Sequence, residues 1–342
     1  DLDARGRVLM PAFVDCHTHA CWAGDRLDEW DLKRQGATYL EILASGGGIM
    51  STVRAVRNAD DESLVRDLVA RLDLMLAHGT CTVEVKSGYG LSTRDELRML
   101  RAIEAAALEF PGTVVPTALL GHAIDPEQPD FVERTIRETL PAVSEAFPGI
   151  TIDAYCEQGA WSFEQTCRLF DDAIDRGHPI RVHTDQFHAL GMVEHAIERR
   201  FLSVDHLEAT TRFGALGASD VTGVMLPCSG FHVDGRYGNG RALIDAGGRL
   251  CIATNLNPGS APCASMPMAI ALATRHLGIS AWEAIVACTT NAAALLGFED
   301  RGRIREGCRA DLILLRDTDE RELAYSFGHN PVDAVICGGV VR

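Results

Sequence analysis

The chain has 342 residues, 46% hydrophobic and 23% charged, with a formal net charge of −16. This length suits one large barrel-sized domain or two smaller ones. The acidic balance argues against nucleic acid and membrane surfaces as partners, since both need local positive charge.

No apolar run approaches the roughly 20 residues that span a bilayer, and the opening residues carry no signal-peptide pattern. The 11 cysteines are odd in number and lack any C-x-x-C pair. They read as reduced thiols of a cytoplasmic protein, not as a disulfide framework.

The first element is the apolar run 8–16, a predicted strand that leads into His17-Thr18-His19. Side chains two apart on a strand share a face, so both imidazoles converge at its C-terminal end. Neutral imidazole is a good ligand for zinc or ferrous iron. A long connection follows, about 17–79, with Gly46-Gly47-Gly48 and a helix predicted over 62–77. There Leu64, Leu68, Leu72 and Leu76 keep helical spacing. Further strands are predicted at 80–86, 113–119, 150–156, 180–184, 201–206, 221–226 and 250–254, alternating with amphipathic segments such as 94–109. Thr93 with Glu96, and Ser162 with Gln165, have the spacing of capping boxes.

Strand–helix alternation repeated eight times predicts an α/β fold, a (β/α)8 TIM-like barrel over 11–300. Helices covering the outer face explain the nearly continuous apolar strands. After residue 300 the pattern changes. Asp311–Leu315, Ala334–Cys337 and Val340-Val341 predict strands of a small β-sandwich domain over 301–342, too few to stand alone. Their partners are expected before residue 8, with 1–10 a remnant of N-terminal strands. The small domain is therefore expected to be incomplete, and the chain less stable than an N-terminally extended one.

Barrel enzymes place reacting groups at the C-terminal ends of strands. Those ends carry His17 and His19 on the first strand and His183, within His183-Thr-Asp-Gln186, on the fifth. The sixth ends in Asp205-His206 and the eighth in Thr254-Asn255. Four of the 12 histidines at three strand ends point to a metal site, although His206 taken alone better suits a core histidine. Three histidine ligands leave a coordination position for water, which a divalent ion acidifies. Hydrolysis also needs a base for the water's proton and an acid for the leaving nitrogen. His206 and residue 255 are the candidates.

An H-x-H pair, two further histidines and a residue closing strand eight together resemble the amidohydrolase superfamily. Longer stretches are similar to the imidazolonepropionases within it. These are Ala23-Gly-Asp-Arg-Leu-Asp-Glu-Trp30, Gly36-Ala-Thr-Tyr-Leu-Glu-Ile42 with Gly46-Gly-Gly-Ile49, Glu84-Val-Lys-Ser-Gly-Tyr-Gly-Leu91, Gly121-His-Ala123, His183-Thr-Asp-Gln186, Val204-Asp-His-Leu207 and Asn257-Pro-Gly259. The resemblance runs from the first strand to the C-terminus. It implies a hydrolase of histidine degradation that opens the imidazolone ring of 4-imidazolone-5-propanoate, a small anionic heterocycle, to give N-formimidoyl-L-glutamate. One divalent metal ion, zinc or iron, is implied with it, and a homodimer is compatible with it.

The resemblance also implies roles. His17, His19, His183 and residue 255 match metal ligands, and His206 matches the histidine beside the reacting water. Arg26, Tyr89 and His122 match substrate contacts, and Gln186 a contact position that is Glu or Gln in relatives. Asn257, Gly259 and Ser260 match the loop that holds the substrate's polar groups. A cationic fork such as Arg26 suits a propionate. An ion pair with Asp28 or Glu29 is the alternative for that side chain. Tyr89 sits between Gly88 and Gly90, which let the backbone bend and aim the ring inward. Lys86 resembles the carboxylated lysine of dinuclear relatives, but a buried lysine paired with Glu84 or another acid suits the mononuclear type.

One position departs from the pattern. Relatives read Thr-Asp-x-Asn-Pro-Gly where this chain has Thr254-Asn255-Leu256-Asn257-Pro258-Gly259. Asparagine offers a metal a neutral carbonyl oxygen but cannot act as a base near pH 7. The missing charge leaves the site more positive, which acidifies a bound water and weakens metal retention. His206 is then left to take the proton. Two other readings stand beside this one. Another cyclic amidohydrolase or heterocycle deaminase is disfavoured by Arg26, since a neutral base needs no cationic clamp. A catalytically impaired substrate-binding protein is favoured by Asn255.

Overall fold

The computed structural model describes residues 3–36 and 47–342. The stretch 37–46, with most of the Gly36–Ile42 motif and Gly46, lies outside the described residues. Eight strands run parallel and neighbour one another in chain order: β2 (Phe13–Asp15), β3 (Thr80–Lys86), β4 (Thr113–Gly121), β5 (Thr151–Cys156), β6 (Arg181–Thr184), β7 (Ser203–His206), β8 (Thr222–Met225) and β9 (Leu250–Ile252). Helical crossovers bring each strand back beside the last. The result is the expected TIM-like barrel, nearly closed.

Helix Asp61–Ala77 shows how sequence becomes packing. Asp60 caps its first turn by accepting from Ser63 N at 2.7 Å, and the buried face is Leu64, Leu68, Leu72, Met75 and Leu76. Helix Phe163–Asp175 carries the expected Ser162–Gln165 capping box. Helix Thr93–Glu109 does not begin as expected. Ser92, not Thr93, is its cap, accepting from Asp95 N, and Glu96 is turned toward the preceding loop. A buried carboxylate with three backbone donors in reach takes those in place of the one a capping box offers.

The run 8–16 is not one strand. It divides at Ala12 into β1 (Leu9–Pro11) and β2, which belong to different sheets. β1 pairs antiparallel with β10 (Leu312–Leu315), which pairs with β11 (Val332–Cys337), which pairs with β12 (Val340–Val341). Among the described residues the N-terminal partner of the C-terminal strands is 9–11. This small sheet lies beside the starts of β3 and β4, where Asn330 Nδ2 donates to Ala77 O and Arg309 Nη2 to Pro111 O. All 11 cysteines are unbridged.

The barrel closes between β9 and β2 without a regular ladder. Asn255 N donates to His17 O at 3.1 Å and His19 N to Leu256 O at 2.9 Å. Beneath them the buried Asp15 carboxylate accepts from Thr254 Oγ1 at 2.5 Å and Thr254 N at 3.2 Å. Burial pushes the Asp15 carboxyl up to about 7, against those hydrogen bonds. The seam is covered by helix Thr290–Leu295, whose Ala292 and Ala293 pack on Val14, Cys16, Cys251 and Ala253. Thr254→Val removes the hydroxyl donor of a buried acid. It should destabilise the fold by about 1–3 kcal/mol, read as a lower denaturant midpoint with an unchanged slope. An unchanged midpoint would assign the closure to packing alone.

Candidate metal centre and active site

β2 delivers His17 and His19 to the C-terminal mouth, and β6 delivers His183. Thr18, between the first two, is pinned the other way, its Oγ1 donating to Glu84 O at 2.6 Å and its N–H to Glu84 Oε2 at 3.1 Å. One ligand atom from each of the three histidines lies within 4.8 Å of the others.

The outward nitrogens fix the tautomers. His17 Nδ1 donates to Asp205 Oδ2 at 2.6 Å and His183 Nδ1 to Asp153 Oδ1 at 3.0 Å. Carboxylates only accept, so both Nε2 atoms carry lone pairs. His183 Nε2 lies 3.2 Å from His19 Nε2, and His17 Nε2 is buried without a partner. Burial holds all three imidazole pKa values below the ordinary range. Neutral rings, converging lone pairs and carboxylates behind two of them make the donor set of a divalent metal ion.

A second group, Cys81, Asp311 and Cys337, also brings three ligand atoms within 4.8 Å. Its charge is already paired. Arg309 Nε donates to Asp311 at 2.9 Å, Gly338 N donates to Asp311 Oδ1 at 2.7 Å, and Arg309 Nη2 lies 4.0 Å from Cys337 Sγ. A cation there would have to displace a guanidinium, so the histidine group is the metal centre that fits.

Behind the histidines runs a buried chain of charges. Arg181 Nη2 meets Asp205 Oδ2 at 2.6 Å, and Nη1 meets Glu84 Oε1 at 3.6 Å. Lys86 Nζ lies 2.7 Å from Glu84 Oε1 and 2.9 Å from Asp153 Oδ2. Lys86 is therefore an ion-paired strand lysine, held by Glu84 as expected and by Asp153. Burial and Arg181 oppose its charge, but Asp153, Glu84 and Asp205 outweigh them and raise its pKa.

The remaining expected residues gather at the same mouth. His122 stacks on His19 with ring centroids 4.9 Å apart, and Tyr89 lies 5.0 Å from His122. His122 Nδ1 donates to Gly88 O at 2.9 Å, and burial pushes its pKa down to about 3. His206 is 5.6 Å from His183 between ring centroids, and its Nδ1 faces Glu208 Oε1 at 3.3 Å. Gln186 joins through Tyr155, whose hydroxyl donates to Gln186 Oε1 at 2.8 Å and whose ring is 6.0 Å from that of His183.

Asn257 organises its own loop, its Oδ1 accepting from Gly259 N and Ser260 N and its Nδ2 donating to Asn255 O. Asn255 Oδ1 is buried with no hydrogen-bond partner among the described residues, which suits a neutral ligand atom. Arg26 forms the ion pair with Glu29 that was the alternative reading of that side chain. Its Nε and Nη2 form a fork on Glu29, while Nη1 donates to Thr52 Oγ1 at 3.3 Å and lies 3.3 Å from the point a side-chain carbon at Gly259 would occupy.

Backbone strain concentrates here as well. Leu91, Asp185, His206, Leu207 and Asn255 all have positive φ, at 47°, 54°, 95°, 70° and 58°. Such conformations persist where surrounding structure imposes them, commonly at functional sites.

Sequence reading passed over Asp153, Arg181, Tyr155, Glu208 and the part played by Asp205. Their signal was the two-residue alternation of polar groups inside apolar strands: Glu84 and Lys86, Asp153 and Tyr155, Arg181 and His183, Ser203 and Asp205. Asp153→Asn removes the negative charge behind His183 while Lys86 keeps Glu84. Zinc affinity, measured by competition with a chelator, should fall about 10–100-fold. An unchanged affinity would show that the carboxylate does not support the ligand.

The amidohydrolase family profile matches residues 8–342. The imidazolonepropionase of Herpetosiphon aurantiacus is 45% identical, covering all of this chain and 84% of its own. That of Deinococcus radiodurans is 44% identical over 98% of this chain and 84% of its own. In fold, the chain is similar to 5-methylcytosine deaminase from Klebsiella pneumoniae, with a TM-score of 0.78 at 19% identity, covering 99% of this chain and 88% of the other. The chain belongs to the amidohydrolase family and, within it, to the imidazolonepropionases.

Proposed function

We propose that this chain hydrolyses the imidazolone ring of 4-imidazolone-5-propanoate to N-formimidoyl-L-glutamate, using one divalent ion, zinc or iron, held by His17, His19, His183 and the amide oxygen of Asn255. The observation that carries this reading is the convergence of three neutral imidazoles, with His122 and His206 packed around them. Relatives that share 44–45% of their residues with the chain and bear the name imidazolonepropionase support it. When bound, the ion would supply Lewis acidity toward the ring carbonyl and toward a water.

The side chains of the mouth divide the remaining work. Glu208 accepts from His206 Nδ1, so His206 Nε2 carries the lone pair that receives the water's proton and returns it to the leaving ring nitrogen. Asn255 holds no proton at neutral pH, so this traffic falls to His206. Arg26 meets the propionate through the second hydrogen of Nη1, since Thr52 Oγ1 accepts the first at 3.3 Å and Glu29 keeps the fork. Tyr89, His122 and Gln186 line the ring, and the loop Asn257–Ser260 offers its polar groups. His19, Tyr89, His206 and Asn255 are buried, which limits competition from bulk water for these contacts.

An assay that follows loss of the imidazolone's ultraviolet absorbance tests the reading. The native chain should turn over, His206→Ala should lower kcat at least about 100-fold, and Asn255→Asp should leave it near the native value. Turnover only after Asn255→Asp would mark the native chain as a binding protein with an impaired centre. Arg26→Gln removes a charged hydrogen bond to the substrate. KM should rise about 10–100-fold with kcat nearly unchanged; an unchanged KM would place the propionate elsewhere.

A further inference from the structure

We propose that Glu96 is a positioning residue of this site: its buried carboxylate holds the loop 88–91 so that Tyr89 and His122 face the substrate. The inference rests on the proposed reaction for what that substrate is. Glu96 stands in the first turn of helix Thr93–Glu109 and is 2% exposed. Its Oε2 accepts from Gly88 N at 2.9 Å, and its Oε1 accepts from Gly90 N and Leu91 N, each at 2.8 Å. Three of the four amides between 88 and 91 thus end on one side chain. The fourth belongs to Tyr89, the residue the others carry.

The loop is shaped to this contact. A side-chain carbon at Gly90 would lie 2.5 Å from Glu96 N and 2.6 Å from Asp95 C, so only glycine lets the loop reach the helix. Gly88 has φ +112°, and a side-chain carbon there would press on His122 Nδ1 at 3.0 Å. Leu91 bears a positive φ, which the carboxylate compensates. The Gly88 carbonyl in turn accepts from His122 Nδ1, leaving the lone pair on Nε2, and the His122 ring stacks on His19. Glu96 therefore acts on the centre through two links. It aims the Tyr89 ring, and through the Gly88 peptide it sets the tautomer and angle of His122. Helix capping is not its task, since Ser92 already supplies the cap.

Glu96→Gln keeps size and shape but has one acceptor oxygen instead of two, so it cannot hold Gly88 and the Gly90–Leu91 pair together. Gly90→Ala moves the loop off the helix with Glu96 intact and serves as a second variant. At matched metal content both should lower kcat/KM about 10–100-fold, chiefly through KM. In the Glu96→Gln background, the further cost of Tyr89→Phe should shrink toward none. A substrate-free readout accompanies the kinetics: nitration of Tyr89 by tetranitromethane, scored by mass spectrometry, should be slow in the native chain and fast in both variants. If the native chain fails to turn over the imidazolone, the proposed reaction fails while the nitration result still decides the role of Glu96. A lower Tm with unchanged KM, an additive Tyr89→Phe cost, or unchanged Tyr89 protection would each overturn the positioning role.

Discussion

The centre of this barrel is filled with charge, and the site depends on how that charge is shared. Barrel interiors are commonly layered with Val, Ile and Leu. Here the layer beneath the mouth holds Glu84, Lys86, Asp153, Arg181 and Asp205, all buried. An unpaired ion at such depth costs several kcal/mol after relaxation, so each must be paired. The pairing runs as one chain, Asp205 to Arg181 to Glu84 to Lys86 to Asp153, and its two ends are the acceptors behind His17 and His183. The same contacts that make these ions tolerable hold two metal-ligating rings in one tautomer and one orientation.

The arithmetic of that chain bears on Asn255. Three carboxylates against two cations leave one negative charge, which a divalent ion turns into one positive charge. An aspartate at 255 would cancel it, whereas the asparagine amide does not. The excess is suited to an anionic substrate, and Arg26 is largely neutralised by Glu29 before that substrate arrives. Asn255 still does structural work. Its N–H bridges the open seam to His17 O, and its left-handed backbone is one that asparagine tolerates better than most residues. The residue that closes the barrel is therefore also the one proposed as the ligand across from the histidines.

Much of this was legible in the sequence, for reasons that are physical. Alternating apolar strands and amphipathic helices encode a barrel directly, and the H-x-H pair encodes a shared face because strand geometry has a period of two. The division of the run 8–16 between two sheets was not legible, since Pro11 and Ala12 are compatible with a strand and only the competing partners β3 and β10 separate its halves. Glu96 was misread because its spacing from Thr93 satisfies a local motif while its real partners lie in the loop before the helix. The charge chain was passed over because its members come from four strands, so no single window of sequence contains a pair beyond Glu84 and Lys86. For Arg26 two readings were open in the sequence, and the structure shows the ion pair, because Glu29 takes the fork.

The claim on which the rest stands is that a divalent ion sits on His17, His19 and His183, backed by the buried charge chain. Metal stoichiometry combined with an X-ray absorption spectrum at the metal edge tests it most directly. The expected result is one equivalent of zinc or iron with three imidazole nitrogens and lighter oxygen donors, lost in His17→Ala. A spectrum dominated by sulfur scattering, which would come from Cys81 and Cys337, or stoichiometry unaffected by His17→Ala, would contradict it.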